Sequence, residues 1–357
     1  MPALGPISVV VVNWNGERYL DGCLESVAAL EGGVSEVLVV DNASTDGSVA
    51  LLRERHPTVR VVRLDENRGP ARARNAGMRA AANRWVLALD NDAVLSPDVL
   101  AKLAAAAASA PGIAIAQPRS VFHSEPGRIH YDGGRFHYAG LISLRNFYKP
   151  LAEGQGAGTL DVDCAVAVAL LVDRDALLEA GGYDEDYFIL FEDLDLSYRL
   201  RALGHRIVSV EDAIVLHRGG TPGISFREGP SYPGSRVFYH SRNRWLFLAK
   251  DYRVRTIVVA LPGLLLYEGV WFGFAVLSGG LGAWLRGKRQ FFGLLPRLRE
   301  KRRAFQSIRR ARDRELLVGG PLTVTPAVRS SAWKRVVLGA LDVALRGWWG
   351  SARFFAG

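Results

Sequence analysis

Asp90 and Asp92 stand two apart in the run Leu89–Asp90–Asn91–Asp92, directly after an apolar stretch. On a strand, a spacing of two sends both side chains to one face. Two carboxylates that close repel unless a cation or hydrogen-bond donors neutralise them. A hard divalent ion, shared with phosphate oxygens, suits such a pair in a polar crevice. A second acidic group, Glu192–Asp193–Leu194–Asp195, follows the aromatic tract 187–191 and opens a helix. The helix dipole alone favours acids there. The same place suits a general base, if a partly apolar pocket lifts its pKa and a substrate hydroxyl comes within reach. His217 closes an apolar run beside Arg218, Gly219 and Gly220, as a candidate metal ligand or phosphate contact.

These residues need a frame that gathers them. Residues 7–12, 37–40, 59–64 and 85–89 read as strands, and 16–30, 46–55, 70–82 and 97–109 carry helical spacing. Such alternation predicts an α/β fold with a mostly parallel sheet and a Rossmann-like nucleotide-binding half. Ligands bind these sheets outside the carboxyl ends of the strands. The first strand ends in Asn13–Trp14–Asn15–Gly16 and the second in Asp41–Asn42–Ala43–Ser44. The third leads to Asn67–Arg68–Gly69, and the fourth ends in Asp90–Asn91–Asp92. Any one of these loops is ordinary turn chemistry; four polar ends at one sheet edge form a binding-site pattern. No G-x-x-x-x-G-K-[ST] occurs, which excludes a P-loop, and the glycine-rich 154–158 reads as a flexible loop. Residues 111–160 read as hairpin or loop, 162–172 as one long central strand, and 207–210 and 213–216 as two short strands. A helix falls within 184–201.

Charge divides the 357 residues unevenly. Residues 1–252 hold 26 Lys/Arg against 31 Asp/Glu, whereas 253–357 hold 19 against 5. An acidic globular part thus carries a basic tail, and a domain boundary is expected near 250, between 1–250 and 251–357. Within the tail, residues 256–285 contain a single charge, Glu268, and are interrupted by Pro262 and several glycines. They read as a re-entrant or interfacial helical hairpin, a tilted span, or a buried helix pair. Residues 333–355 place Trp333, Val336, Val337, Leu341, Leu345, Trp348 and Trp349 on one stripe, the pattern of an interfacial anchor. The basic residues adjoin this apolar segment and are not interleaved with base-stacking aromatics, so nucleic acid is not an expected partner. Two cysteines exclude a disulfide scaffold and suit a reducing compartment. The first residues lack a basic n-region, so no secretory signal is expected.

Taken together, several runs resemble glycosyltransferase family 2, the inverting GT-A enzymes. They are Val10–Val11–Val12–Asn13–Trp14–Asn15–Gly16, Val40–Asp41–Asn42–Ala43–Ser44–Thr45–Asp46–Gly47, and Asn67–Arg68–Gly69 with Arg72, Asn75 and Gly77. Leu89–Asp90–Asn91–Asp92, Gly181–Gly182–Tyr183–Asp184–Glu185, Glu192–Asp193–Leu194–Asp195 and His217 complete the set. The likeness runs from about residue 7 to residue 220 and is nearest to bacterial rhamnosyltransferase-type members acting on lipid-linked saccharides. It implies a GT-A catalytic domain followed by a helical membrane-associated region. The implied reaction is metal-dependent transfer of a sugar, best read as L-rhamnose from dTDP-rhamnose, from a nucleoside-diphosphate sugar to a polyprenyl-diphosphate-linked saccharide. Asn13, Glu17, Asp41, Asn67, Arg72 and Asp90 would bind the donor. Asp92 and His217, with Asp90 in the shell, would hold Mg²⁺ or Mn²⁺. Asp193 would be the base, with Glu192, Asp195, Trp14 and Tyr187 behind it or against the acceptor. An anionic membrane at the cytoplasmic face would receive the tail, making the protein peripheral or monotopic. The other reading is a non-catalytic nucleotide-sugar-binding subunit of a membrane complex.

Overall fold

The computed structural model describes residues 4–154, 158–218, 232–329 and 331–357. Residues 155–157 of the glycine-rich loop, and Gly219 and Gly220 after His217, lie outside them. The chain divides into two compact units: residues 1–134, 144–200 and 204–219 form the first, and 135–143, 201–203 and 220–357 the second.

The first unit is built on an α/β alternation: β1 (Ile7–Asn13), α1 (Glu17–Ala28), β2 (Val34–Asp41), α2 (Ser48–Arg55), β3 (Arg60–Arg63), α3 (Pro70–Ala80) and β4 (Trp85–Asp90). Every residue of β1 is buried, as its run of valines demands of a strand covered on both faces. β1 lies between β2 and β4 and is parallel to both, and β3 adds to β2 in parallel. Asn13, Asp41 and Asp90 therefore finish side by side, with Asn13 in register with Asp41 and Val12 with Asp90. α3 starts with Pro70 in its first turn, where the missing N–H costs nothing. Gly69 precedes it at φ +87°, a conformation that glycine adopts freely. Midway along α3, Gly77 lies flat on the sheet: a Cβ there would stand 2.2 Å from Val10 Cγ1 and 3.1 Å from Val40 Cγ2.

After β5 (Ala93–Leu95) and α4 (Val99–Ala108) comes the stretch read as hairpin or loop. β6 (Ile113–Phe122) and β7 (Glu125–Tyr131) form a hairpin, and all ten residues of β6 are buried. Gln117, Arg119 and Ser120 hide this strand from a hydropathy reading. Inside, Arg119 is neutralised by Asp132 and Glu211, each at 3.0 Å. β8 (Gly134–His137) and β9 (Leu141–Leu144) follow. The expected single strand over 162–172 is two: β10 (Thr159–Val162) and β11 (Ala169–Asp173). They cannot be continuous, because β10 is at the sheet edge on β12 while β11 inserts between β6 and β4. α5 (Arg174–Glu179) and α6 (Glu192–Ala202) lead to β12 (Arg206–His217), one strand where two were expected. Its register on β6 slips between Val210 and Ile214, which accounts for the break in pattern. Among the described residues the sheet runs β10-β12-β6-β11-β4-β1-β2-β3, with β5 on β12 and β7 on β6.

The second unit is mostly helical: α7 (Gly234–Asp251), α8 (Val254–Leu277), α9 (Leu281–Ile308), α10 (Asp313–Leu316) and α11 (Ala332–Ala352), with β13 (Leu317–Val318) parallel to β8. α8 continues through Pro262 as one 24-residue helix, long and apolar enough by length and composition to cross a membrane. Its one acid, Glu268, is neutralised inside the unit. Glu268 accepts from Arg244 at 2.6 Å, Trp245 at 2.8 Å, Trp284 at 3.0 Å and Lys288 at 2.7 Å, which ties α7, α8 and α9 together. The stripe expected on the last helix divides. Leu341, Leu345 and Trp349 are buried, whereas Trp333, Val336, Val337 and Trp348 remain exposed.

Gly77→Val forces side-chain atoms into β1 and β2, and overpacking of this kind destabilises by about 1–3 kcal/mol. Urea denaturation reads the loss; an unchanged midpoint would contradict the close approach of α3 to the sheet.

Candidate functional site

At the carboxyl edge of β1 and β2 the polar ends interlock. Asn13 Nδ2 donates to Asp41 Oδ1 and to Ser44 Oγ, both at 3.2 Å, and Asn13 Oδ1 accepts from Asn91 Nδ2 at 2.6 Å. Asp41 is fully buried, with Arg63 Nε at 3.8 Å from its Oδ2. A cavity of about 440 Å³ opens beside it, lined by Ala43, Ser44, Thr45, Arg63, Leu64 and Asp65. Glu17 braces this edge: its Oε2 accepts from Gly47 N at 2.9 Å, while its own N donates to Asp46 at 3.0 Å. Trp14 is 41% exposed in the same turn. Asn67 is occupied by the fold, its Oδ1 accepting from Asn42 Nδ2 and Gly69 N at 2.8 Å each. Arg72 lies 3.4 Å from Glu66.

Arg74, absent from the sequence candidates, joins the end of β4 to the acidic helix. Its Nη2 donates to Asp90 Oδ1 at 2.8 Å, and its Nη1 stands 3.4 Å from Glu192 and 3.7 Å from Asp193. The guanidinium is buried. Burial opposes its charge, but Asp90 and Asp193 more than restore it and hold its pKa well above the ordinary value. A sequence signal existed: Ala71, Arg74, Asn75 and Met78 share the i, i+3, i+4, i+7 face of α3 that is buried. An arginine on that stripe must meet buried acids.

The acids arrive through a strained approach. Phe188, Leu190 and Phe191 adopt φ of +63°, +66° and +77°, left-handed backbone that non-glycine residues enter at a cost. Tyr187 is buried in the core, and its hydroxyl donates to Asp195 Oδ1 at 3.0 Å. Arg199 holds the other oxygen of Asp195 at 2.5 Å. Asp195 and Tyr187 thus anchor the start of α6. Asp193 accepts from Ala167 N through Oδ2 at 3.0 Å, and among the described residues its buried Oδ1 has no hydrogen-bond partner. Glu192 Oε2 is in the same condition. Burial raises the pKa of Asp193 above the ordinary range against the opposing pull of Arg74. Glu192 is pushed up to about 8 by burial and then by the charge of Asp193.

Asp90 and Asp92 do not share a strand face. β4 stops at Asp90 and a turn carries Asp92, so Asp90 meets Arg74 while Asp92 meets His217, whose Nε2 lies 3.1 Å from Asp92 Oδ2. Register places His217 there: β12 pairs antiparallel with β5, setting His217 opposite Ala93. Among the described residues no group of three or more His, Cys, Asp or Glu is placed to enclose an ion. A carboxylate oxygen and an imidazole nitrogen at one point nonetheless suit Mg²⁺ or Mn²⁺, which complete their shells with phosphate oxygens and water.

Residues 8–177 match the model of the family described as Glycosyl transferase family 2. A 98-residue stretch is 42% identical to "Succinoglycan biosynthesis protein ExoO" of Rhizobium meliloti (strain 1021), covering 27% of this chain and 28% of that protein's length. Over 271 residues the chain is 29% identical to "N-acetylglucosaminyl-diphospho-decaprenol L-rhamnosyltransferase" of Mycobacterium tuberculosis (strain ATCC 25618 / H37Rv), covering 68% of this chain and 84% of that protein. Among solved structures it resembles GalNAc-T7 with UDP, GalNAc and Mn²⁺ (TM-score 0.57, 17% identity, 72% of this chain and 51% of that one). It also resembles S. aureus TarS 1-349 in complex with UDP-GlcNAc (TM-score 0.53, 17% identity, 98% and 92%). These two likenesses show the fold, GT-A.

The raised pKa of Glu192 has a stability consequence. An acid whose folded pKa exceeds its unfolded value stabilises the fold while protonated, and that contribution is lost as pH rises between the two. The wild type should therefore lose stability relative to Glu192→Gln from about pH 4, the ordinary Glu range, up to about 8. Melting temperatures of the two proteins across that window test this; a constant difference would contradict it.

Proposed function

We propose that the chain, whose residues 8–177 match the glycosyl transferase family 2 model, is a glycosyltransferase that transfers a sugar from a nucleoside diphosphate to a saccharide hydroxyl carried on a polyprenyl diphosphate, inverting the anomeric centre. The donor that fits best is dTDP-rhamnose, its rhamnose supported by the name of the mycobacterial relative. The observation that carries the proposal is the state of Asp193. One oxygen is fixed by Ala167 N, the other has no hydrogen-bond partner among the described residues, and Arg74 links the group to Asp90 at the end of β4.

Asp193 Oδ1 takes the proton of the acceptor hydroxyl. The acceptor oxygen forms its bond to C1 of the sugar from the face opposite the diphosphate. The C1–O bond to the diphosphate breaks, and its electron pair leaves on the diphosphate oxygen. Arg74 keeps Asp193 oriented, and burial makes its carboxylate a stronger base than an exposed one. Asp41, beside the cavity at Ser44 and Arg63, contacts the base or ribose. A Mg²⁺ or Mn²⁺ held by Asp92 and His217, with Asp90 nearby, would act as a Lewis acid on the leaving diphosphate. One fold neighbour holds UDP with Mn²⁺, which supports that choice.

In this scheme residues 1–250 carry the transfer and 251–357 the association with an anionic membrane at the cytoplasmic face, with α7 packed in the second unit. Val258, Leu265 and Leu277 of α8, Leu285 and Phe292 of α9, and Val336 and Val343 of α11 are exposed apolar side chains. α8 and α11 meet, with Trp348 Nε1 donating to Val259 O at 3.0 Å. The basic excess of 253–357 complements anionic headgroups at about 1 kcal/mol per Lys/Arg near the surface.

Asp193→Asn should lower transfer about 10²–10⁴-fold while leaving donor binding intact, and Asp92→Ala should weaken donor binding only when Mg²⁺ or Mn²⁺ is supplied. Purified protein, a panel of nucleotide sugars and a synthetic prenyl-diphosphate saccharide, read by mass spectrometry, decide both. Full turnover by Asp193→Asn would remove the base assignment. The protein should also sediment with phosphatidylglycerol vesicles and less so at 1 M NaCl; a protein that stays in the supernatant contradicts the membrane role.

A further inference from the structure

His130 has no part in the chemistry above, yet three neighbouring strands bring it onto His217. β6 runs between β12 and β7, with Phe122 of β6 in register with His217 of β12. On the other side, Ser120 pairs with Tyr131 of β7 and Val121 pairs with Ile129. The residue between them, His130, is therefore an extra one on its strand. Such bulges re-aim a side chain. Here the imidazole comes to lie on that of His217, with ring centroids 5.1 Å apart at 21° and the two Nδ1 atoms 3.1 Å apart. Phe122 and Tyr131, with centroids at 4.5 and 4.2 Å, restrict the His130 ring.

Two nitrogens at that distance share one hydrogen, so one donates and the other accepts. A cation taken up at His217 Nε2, the nitrogen beside Asp92, needs the lone pair of that atom. The hydrogen of the neutral ring then sits on Nδ1, and the facing nitrogen must accept it. We propose that His130 is a positioning residue for the cation site: its Nδ1 accepts the Nδ1–H of His217, fixes the tautomer that frees Nε2, and holds that ring beside Asp92. The inference rests on His217 being a cation ligand. It extends to this chain the general role of a partner on the second nitrogen of a ligating histidine, whose loss costs 10–100-fold in metal affinity.

The test titrates the full chain with Mn²⁺ in the presence of UDP, following the free-ion EPR signal. His130→Phe keeps a flat ring but cannot accept, and should weaken Mn²⁺ binding 10–100-fold with an unchanged melting temperature. His130→Asn restores an acceptor and should recover most of the affinity. His217→Ala is the control for the underlying assignment. If His217→Ala loses Mn²⁺ and His130→Phe binds it like the wild type, the positioning role is overturned. If His217→Ala binds like the wild type, the cation-ligand assignment fails, and the positioning role with it. Should His130→Phe not fold, ¹⁵N-labelled histidine in the wild type with Mg²⁺ and UDP decides. An Nδ1–H tautomer at His217 supports the proposal, and an Nε2–H tautomer overturns it.

Discussion

A single buried guanidinium holds the two halves of the candidate site to each other. Arg74 reaches Asp90 at the end of β4 and Glu192 and Asp193 at the start of α6. One cation cannot neutralise three carboxylates in a buried setting, so the cluster is left with surplus negative charge. Burial, with that surplus, favours a proton on Glu192 and Asp193 beyond their ordinary range. Removing the cation would leave several buried charges unpaired, a loss of about 3–5 kcal/mol for a single broken pair. The contact that closes α6 onto the sheet edge thus also acts on the charge of Asp193, opposing the upward push of burial.

The elements around this cluster serve its geometry. Parallel pairing of β2, β1 and β4 brings Asp41, Asn13 and Asp90 to a common edge without any long-range search by the side chains. Antiparallel β5 and parallel β6 then fix β12 from its two sides, so that His217 ends at Asp92. Strain is concentrated in the short tract before Glu192, where three non-glycine residues are left-handed. Tyr187 before that tract and Arg199 within α6 clamp Asp195 on its far side.

Periodicity exposed the β1–β4 half because β1, β2 and β4 centre on apolar runs and α1 and α3 bury one face. It went no further than hairpin or loop at β6, where Gln117 is buried against Val166, and Arg119 against Asp132 and Glu211. It failed at 162–172, where a continuous apolar run is cut by the need to cross the sheet. The acids and His217 were legible as strand and helix ends. Arg74 was not, because a basic residue in an Ala/Arg-rich helix looks solvated until its place on the buried face is known. Asp92 was found for the wrong geometric reason: a turn, not strand alternation, sets its direction. In the second unit the apolar stretch was legible, but the neutralisation of Glu268 depends on Arg244, Trp245, Trp284 and Lys288 from two other helices.

The most direct measurement is a ¹³C NMR titration of the Asp193 carboxyl, assigned with Asp193→Asn, in the wild type and in Arg74→Gln. The account predicts an Asp193 pKa above the ordinary aspartate range in the wild type, rising further once the opposing charge of Arg74 is gone. An Asp193 carboxyl that titrates at the ordinary aspartate value, unmoved by the loss of Arg74, would contradict it.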